Sequence, residues 1–389
     1  MSRVLSSTLA AIALLFVSAS LEQVAAQYPQ AQTAGDLPIF FFHGVTSSAQ
    51  AGYFLQQNLS TPTRPFVALN FCEKECSVRD LPTQVTMAIE QLKTITSNDK
   101  RFDGGYIFIG HSQGGVLARA VIEQWNEHKV HTFISLAGAQ NGIFYGPQPN
   151  DRVPTQVFLK ALGPKMIPKE LLDFGSYSAE QVASGKMQID FLKMLNNRTE
   201  LQSRLSVANL PRSPVVMPWA STNKFLPVVN NISPDVGMAE KARRKRNFLK
   251  LQAAHFFASP ADETLSPWQT AIFGMYNEVK DMATLERDFA KLRVVDMKQT
   301  LEYRADTFGL RSLDRRGGLF LHTVEGVSHS CWVANSTPFG GSQECQFQPV
   351  FEAHLYPILS ANGARDNDDS DDQNPYQQHQ RHPVKCRDN

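Results

Sequence analysis

The stretch GYIFIGHSQGGVLARAVIEQW, residues 105 to 125, most constrains how this chain folds. An apolar strand-like run ends in Gly110-His111-Ser112-Gln113-Gly114, and an apolar stripe of helical period follows at Val116, Leu117, Ala120, Val121 and Trp125. A polar serine between small residues, set where a strand turns into a helix, matches the G-x-S-x-G nucleophile elbow. Small neighbours are needed there because helix and strand approach closely around a strained turn. The plain alternative is a glycine-rich turn with an idle serine.

The neighbouring text repeats the alternation. LPIFFFHGV (37–45), PFVALNF (65–71) and VHTFISLAG (130–138) read as buried strands, and Val85, Ala88, Ile89, Leu92 and Ile95 form a helical stripe between the second and third of the four runs. Strands alternating with helices build βαβ units, so the expectation is an α/β fold with a mostly parallel sheet covered on both faces. The alternation stops between about residues 145 and 250, where prolines, short apolar pieces (VFLKALG, PKELLDFG, IDFLKMLNN) and the basic run KARRKR (241–246) follow one another. This region is expected to be a cap inserted between two core strands, with the basic run on a solvated helix face. Strand-like text resumes at LQAAHFFASP (251–260) and GGLFLHTVEG (317–326), and FQPVFEAHLYPILS (347–360) reads as a final helix. Residues 361–389 hold almost no apolar side chains and are expected to be disordered.

The amino terminus carries Arg3 ahead of an apolar stretch from Leu9 to Val17, then Ala25 and Ala26 before Gln27. That is the form of a secretory signal peptide over residues 1–26; the apolar core falls short of the about 20 residues a spanning helix needs, which argues against an anchor. The mature chain, 27–360 plus the tail, is then one domain without a stable membrane span. Export places Cys72, Cys76, Cys331, Cys345 and Cys386 where disulfides persist. Cys331 and Cys345 flank a short loop; Cys72 and Cys76 are near enough to pair with each other or with a distant partner, and spacing does not fix connectivity. Asn58, Asn197, Asn231 and Asn335 open Asn-x-Ser/Thr triplets and are glycosylation candidates. A formal net charge of +1 with 19% charged residues gives no reason to expect nucleic acid as a partner. No cysteine–histidine set has zinc spacing.

If Ser112 is a nucleophile, it needs a base and an acid, in the chain order serine, acid, histidine for this fold. His329 stands on the loop after the last strand, whereas His255 and His322 lie inside apparent strands and are expected to be packed or paired there. Asp262 leads for the acid, with Glu263 and Asp235 as rivals. At the start of the elbow helix, unpaired amides favour developing negative charge, so the N–H of Gln113 is an oxyanion candidate. The loop after the first strand, His43-Gly44-Val45, offers the N–H of Val45 as the second donor.

GHSQGG (110–115), SLAGAQNGIFYGP (135–147), PADETLSPWQTAIFGMY (260–276), ADTFGL (305–310) and GVSHSCW (326–332) together resemble the palmitoyl-protein thioesterases, lysosomal α/β-hydrolases. The likeness is strongest to the second lysosomal type. The resemblance implies Ser112 as nucleophile, Asp262 before the Pro-Trp-Gln block as acid and His329 as base. It also implies hydrolysis of long-chain acyl thioesters, on S-acylated proteins or fatty acyl-coenzyme A, without metal or other cofactor, in a lysosomal, vacuolar or secreted setting. Gln140 is expected to border the pocket. The Tyr-Trp-x-Asp-Pro block of the family's cap is missing, so the acyl groove does not transfer with the triad. An oxygen-ester hydrolase and a non-catalytic lipid-binding protein are the alternatives.

Overall fold

The computed structural model describes residues 37–155, 177–337 and 344–360. The leader, VFLKALG, PKELLDFG, and the tail with Cys386 lie outside them. Six strands form one sheet: β1 (Ile39–Phe42), β2 (Phe66–Ala68), β3 (Tyr106–His111), β4 (Val130–Leu136), β5 (Ala253–Ala258) and β8 (Leu319–Thr323). Their spatial order is β2-β1-β3-β4-β5-β8, and every pairing is parallel. All residues of β1 and β3 are buried, as continuous apolar runs covered on both faces require.

Helix α1 (Leu81–Asn98) starts at Asp80, whose carboxylate accepts the Thr83 amide at 3.0 Å. It buries Val85, Ala88, Ile89 and Leu92 of the expected stripe. Helix α2 (Gln113–Gln124) departs from the two-faced reading: Gln113 through Glu123 are all buried, Arg119 and Glu123 included. Between β4 and β5 the described residues form a series of helices, of which α3 (Lys186–Asn197) and α4 (Met238–Phe248) are the longest. A two-stranded antiparallel sheet of β6 (Met275–Tyr276) and β7 (Val294–Val295) was not foreseen, since two-residue strands carry no readable period. Phe144, Ile189 and Leu192 pack with Met275, Tyr276 and Phe289 in a cluster of their own beside the main core.

The basic run departs from a wholly solvated face. It lies in α4, which packs on α2; Arg244 is buried there and pairs with Glu123 at 3.0 Å, while Lys245 pairs with Asp306 at 2.7 Å. A buried carboxylate on α2 requires a cation, and this helix supplies it. The final helix, residues 347–360, forms with a π-turn at Phe351–Leu355 just ahead of Pro357, where a regular ladder would lose a hydrogen bond and clash. His255 and His322 sit across neighbouring strands with ring nitrogens 3.1 Å apart, between the rings of Phe320 and Phe257. Among the described residues two disulfides form, Cys72–Cys76 and Cys331–Cys345. Among the described residues no helix is long and apolar enough to cross a membrane.

Candidate active site

Ser112 joins β3 to α2 with φ 55° and ψ −128°, a conformation costly for any residue with a Cβ. Its amide donates to the Leu136 carbonyl at 3.0 Å, and the Gly115 amide donates to its carbonyl at 3.0 Å, so the turn is held from both sides. A Cβ on Gly110 would stand 2.5 Å from the Gly114 carbonyl oxygen, and one on Gly114 2.2 Å from that of Phe42. No side chain larger than hydrogen fits at either place. The two glycines thus let the helix start directly above the sheet.

His329 lies beyond β8 on a loop pinned at both ends. The Val324 and Val327 amides donate to the Ala258 carbonyl and the Ser259 hydroxyl, and fully buried Trp332 packs on Phe257 next to the Cys331–Cys345 bridge. The imidazole Nε2 is 2.9 Å from Ser112 Oγ, and Nδ1 is 2.8 Å from Asp262 Oδ2. A carboxylate only accepts, so Nδ1–H donates to Asp262 and Nε2 faces the serine as acceptor. The other oxygen of Asp262 accepts the Thr264 and Leu265 amides at 2.8 and 2.9 Å. Burial alone would raise the Asp262 carboxyl; the His329 charge and these hydrogen bonds outweigh it and hold it below the usual range. Burial would lower His329, and the Asp262 carboxylate reverses that, holding the imidazole above its ordinary value.

Neither rival acid occupies that place. Glu263 accepts the backbone amide of His329 at 3.0 Å, and Asp235 is exposed and pairs with Lys224. His111, inside the elbow itself, ties it to the His329 loop: its Nε2–H donates to the His329 carbonyl at 2.8 Å. Burial, then the nearby His329 charge, lowers it to about 3, so it stays a neutral donor. No local pattern announces this contact, because 218 residues separate the partners.

Gln113 opens α2, where a backbone amide has no carbonyl one turn behind it to bond. Val45 lies in the loop after β1, and a Cβ on the preceding Gly44 would stand 3.1 Å from Ser112 Cβ, so this loop runs against the serine. Both residues line a cavity of about 100 Å³ that contains Ser112 in its wall. The rest of the lining is mainly apolar: Ile143, Phe144, Phe191, Leu192, Val207 and Leu210 come from the region between β4 and β5, and Leu265 from the loop of Asp262.

Gln140 does not reach this cavity. Its side chain is fully buried and donates to Ser135 Oγ at 2.8 Å, its carbonyl accepts from Arg119, and neighbouring Ala139 lines the cavity instead. Of the four glycosylation candidates, Asn58, Asn197 and Asn335 are exposed. Asn231 is buried, with its amide donating to the Lys241 and Thr307 carbonyls, which leaves no room for a glycan.

The profile of the palmitoyl protein thioesterase family matches residues 38–329. The chain belongs to the palmitoyl protein thioesterase family. It is therefore a serine hydrolase of the α/β-hydrolase fold, as its parallel sheet and elbow agree. The family's relatives include the lysosomal thioesterase PPT2-B of Xenopus laevis, 28% identical over 78% of this chain and 89% of that protein. The lysosomal thioesterase PPT2 of Homo sapiens is 24% identical over 79% of this chain and 87% of that one. Among solved structures, the carboxylesterase CesB of Bacillus subtilis is similar at 12% identity and TM-score 0.36, covering 83% of this chain and 84% of its own.

Proposed function

We propose that the protein hydrolyses long-chain fatty acyl thioesters, of S-acylated proteins or of acyl-coenzyme A, with Ser112, His329 and Asp262 as catalytic triad. The observation that carries this is the unbroken hydrogen-bond chain from Ser112 Oγ through His329 to Asp262, opening on an apolar cavity. His329 Nε2 takes the hydroxyl proton as Ser112 Oγ bonds to the thioester carbonyl carbon. The amides of Val45 and Gln113 hold the resulting oxyanion; one such donor is worth about 2.7–4 kcal/mol in other hydrolases. The C–S bond then breaks, the sulfur leaves with the proton from the imidazolium, and an acyl-Ser112 remains. Water, giving its proton to His329, attacks this ester; the fatty acid departs and Ser112 regains its proton.

The region between β4 and β5 acts as a cap whose apolar residues receive the acyl chain. Burial of each CH₂ contributes about 0.8 kcal/mol, so chains several carbons shorter bind markedly worse. The disulfides and the lysosomal relatives support a lysosomal, vacuolar or secreted location. Hydrolysis of palmitoyl-coenzyme A and of an S-palmitoylated peptide by wild type and Ser112→Ala tests the reading. Turnover of either by wild type and none by the variant is expected; undiminished turnover by Ser112→Ala overturns it.

A further inference from the structure

Two separate segments carry the proposed oxyanion donors, and one buried serine outside the triad touches both. Ser77 follows the Cys72–Cys76 loop and is fully buried. Its Oγ accepts the Thr46 amide at 2.6 Å and donates to the Lys74 carbonyl at 2.5 Å. The second bond orients the hydroxyl, leaving its lone pairs toward Thr46. Thr46 has φ 59°, a left-handed conformation that does not hold itself, and its amide belongs to the peptide plane that follows Val45. The same loop grips the segment twice more: the Lys74 amide donates to the Ser47 carbonyl at 2.6 Å, and the Ala49 amide to Glu73 Oε1 at 2.8 Å. On its other side, the Ser77 carbonyl accepts Gln113 Nε2 and Gln84 Nε2, both at 2.9 Å, and Ser206 Oγ at 3.3 Å. Val207, next to Ser206, lines the cavity.

We infer that Ser77 is a positioning residue of the active site: its hydroxyl and carbonyl key the Val45 loop and the Gln113 end of α2 to one point. This rests on the thioester hydrolase reading. Oxyanion stabilisation needs donors fixed before charge develops, so a serine that sets the spacing between them acts on the transition state and leaves ground-state binding alone. The hydroxyl half of this linkage can be removed alone. Ser77→Ala leaves the carbonyl and releases the Thr46 amide, while Ser77→Thr keeps the oxygen.

The test measures kcat and KM on palmitoyl-coenzyme A with the full chain, per Ser112 titrated by a fluorophosphonate, which corrects for any misfolded fraction. Ser77→Ala is expected to lose kcat about tenfold, below the full loss of a donor, with KM within about twofold. Ser77→Thr should recover most of that loss. Glu73→Ala, which frees the Ala49 amide from a partly exposed side chain, is a second release of the same loop and should lower kcat about threefold at constant KM. Wild-type kcat per titrated serine in Ser77→Ala, or in Glu73→Ala should the first not fold, overturns the inference. So does an equal loss in Ser77→Thr, which would mark a packing role. A wild type inert toward thioesters removes the underlying reading, and this one with it.

Discussion

Two of the buried clusters of charge among the described residues are built for opposite ends. In the first, Asp262 and His329 stand in a chain that ends on the Ser112 hydroxyl and a cavity. In the second, Arg212 forks onto Glu302 at 2.6 and 3.3 Å, Asn141 and Asn230 fill in between, and Arg119 donates to Asn230 and the Gln140 carbonyl while lying over Phe308. Glu123 and Arg244 extend it to α4. None of these side chains lines the cavity at Ser112. Both clusters bury charge at a desolvation cost, but the first ends on a hydroxyl at a cavity wall, whereas the directional bonds of the second join α2, the region between β4 and β5 and the helix of Glu302. Burial of charge is therefore no sign of catalysis by itself; the open end is.

The largest effect that tests this division is at Asp262. Asp262→Asn keeps the shape but leaves the imidazole without its carboxylate, so kcat should fall about 10⁴-fold with the thermal midpoint nearly unchanged. The same variant should also move a pH limb. In the proposed mechanism His329 acts as base only when neutral, and the Asp262 carboxylate raises its titration above that of an ordinary imidazole. Wild-type kcat/KM should accordingly fall with pH on a limb placed above that of an ordinary imidazole, and in Asp262→Asn the limb should move to lower pH. A limb that stays in place would show that another group titrates there.

In the second cluster the effect should fall on stability. Arg212→Ala leaves the Glu302 carboxylate buried without its ion-pair partner, at a cost of about 3–5 kcal/mol of unfolding free energy. Turnover per titrated Ser112 should remain within about twofold, as Arg212 touches no reacting atom. Denaturant titration alongside active-site titration separates the two quantities. A large kcat loss in correctly folded Arg212→Ala would erase the distinction between the clusters.

The two clusters were unequally legible in the sequence. Ser112 announces itself because its turn demands Gly110 and Gly114, a constraint local to five residues. His329 and Asp262 follow from chain order and from loops at the carboxyl ends of strands, where topology places any residue that can reach the elbow. The second cluster has no such rule. Arg244 sits in a run that reads as solvated, and its partner Glu123 lies 121 residues earlier on a helix whose period suggested one buried face. Which lysine or arginine of KARRKR turns inward depends on how α4 is set against α2, and that is decided by packing between segments. Gln140 was misplaced for the same reason: it directly follows Ala139, which is on the cavity wall, and only the turn after β4 tells which side chain faces inward.

The smallest effect concerns the rim of the second cluster, where the triplet at Asn231 looks like those at Asn58, Asn197 and Asn335. Expressed in a glycosylating secretory host, Asn58→Gln, Asn197→Gln and Asn335→Gln are each expected to remove one endoglycosidase-sensitive step in gel mobility and to leave stability within about 0.5 kcal/mol. Asn231→Gln should leave mobility as it is and cost about 1–3 kcal/mol. Asn231 has φ 58°, a conformation asparagine tolerates better than glutamine, and its amide satisfies two half-buried carbonyls that the longer side chain cannot reach in the same geometry. A mobility step lost in Asn231→Gln would mean that this asparagine is accessible to the glycosylating host, and that the junction between α4 and the Thr307 turn is looser than the bonds around it imply.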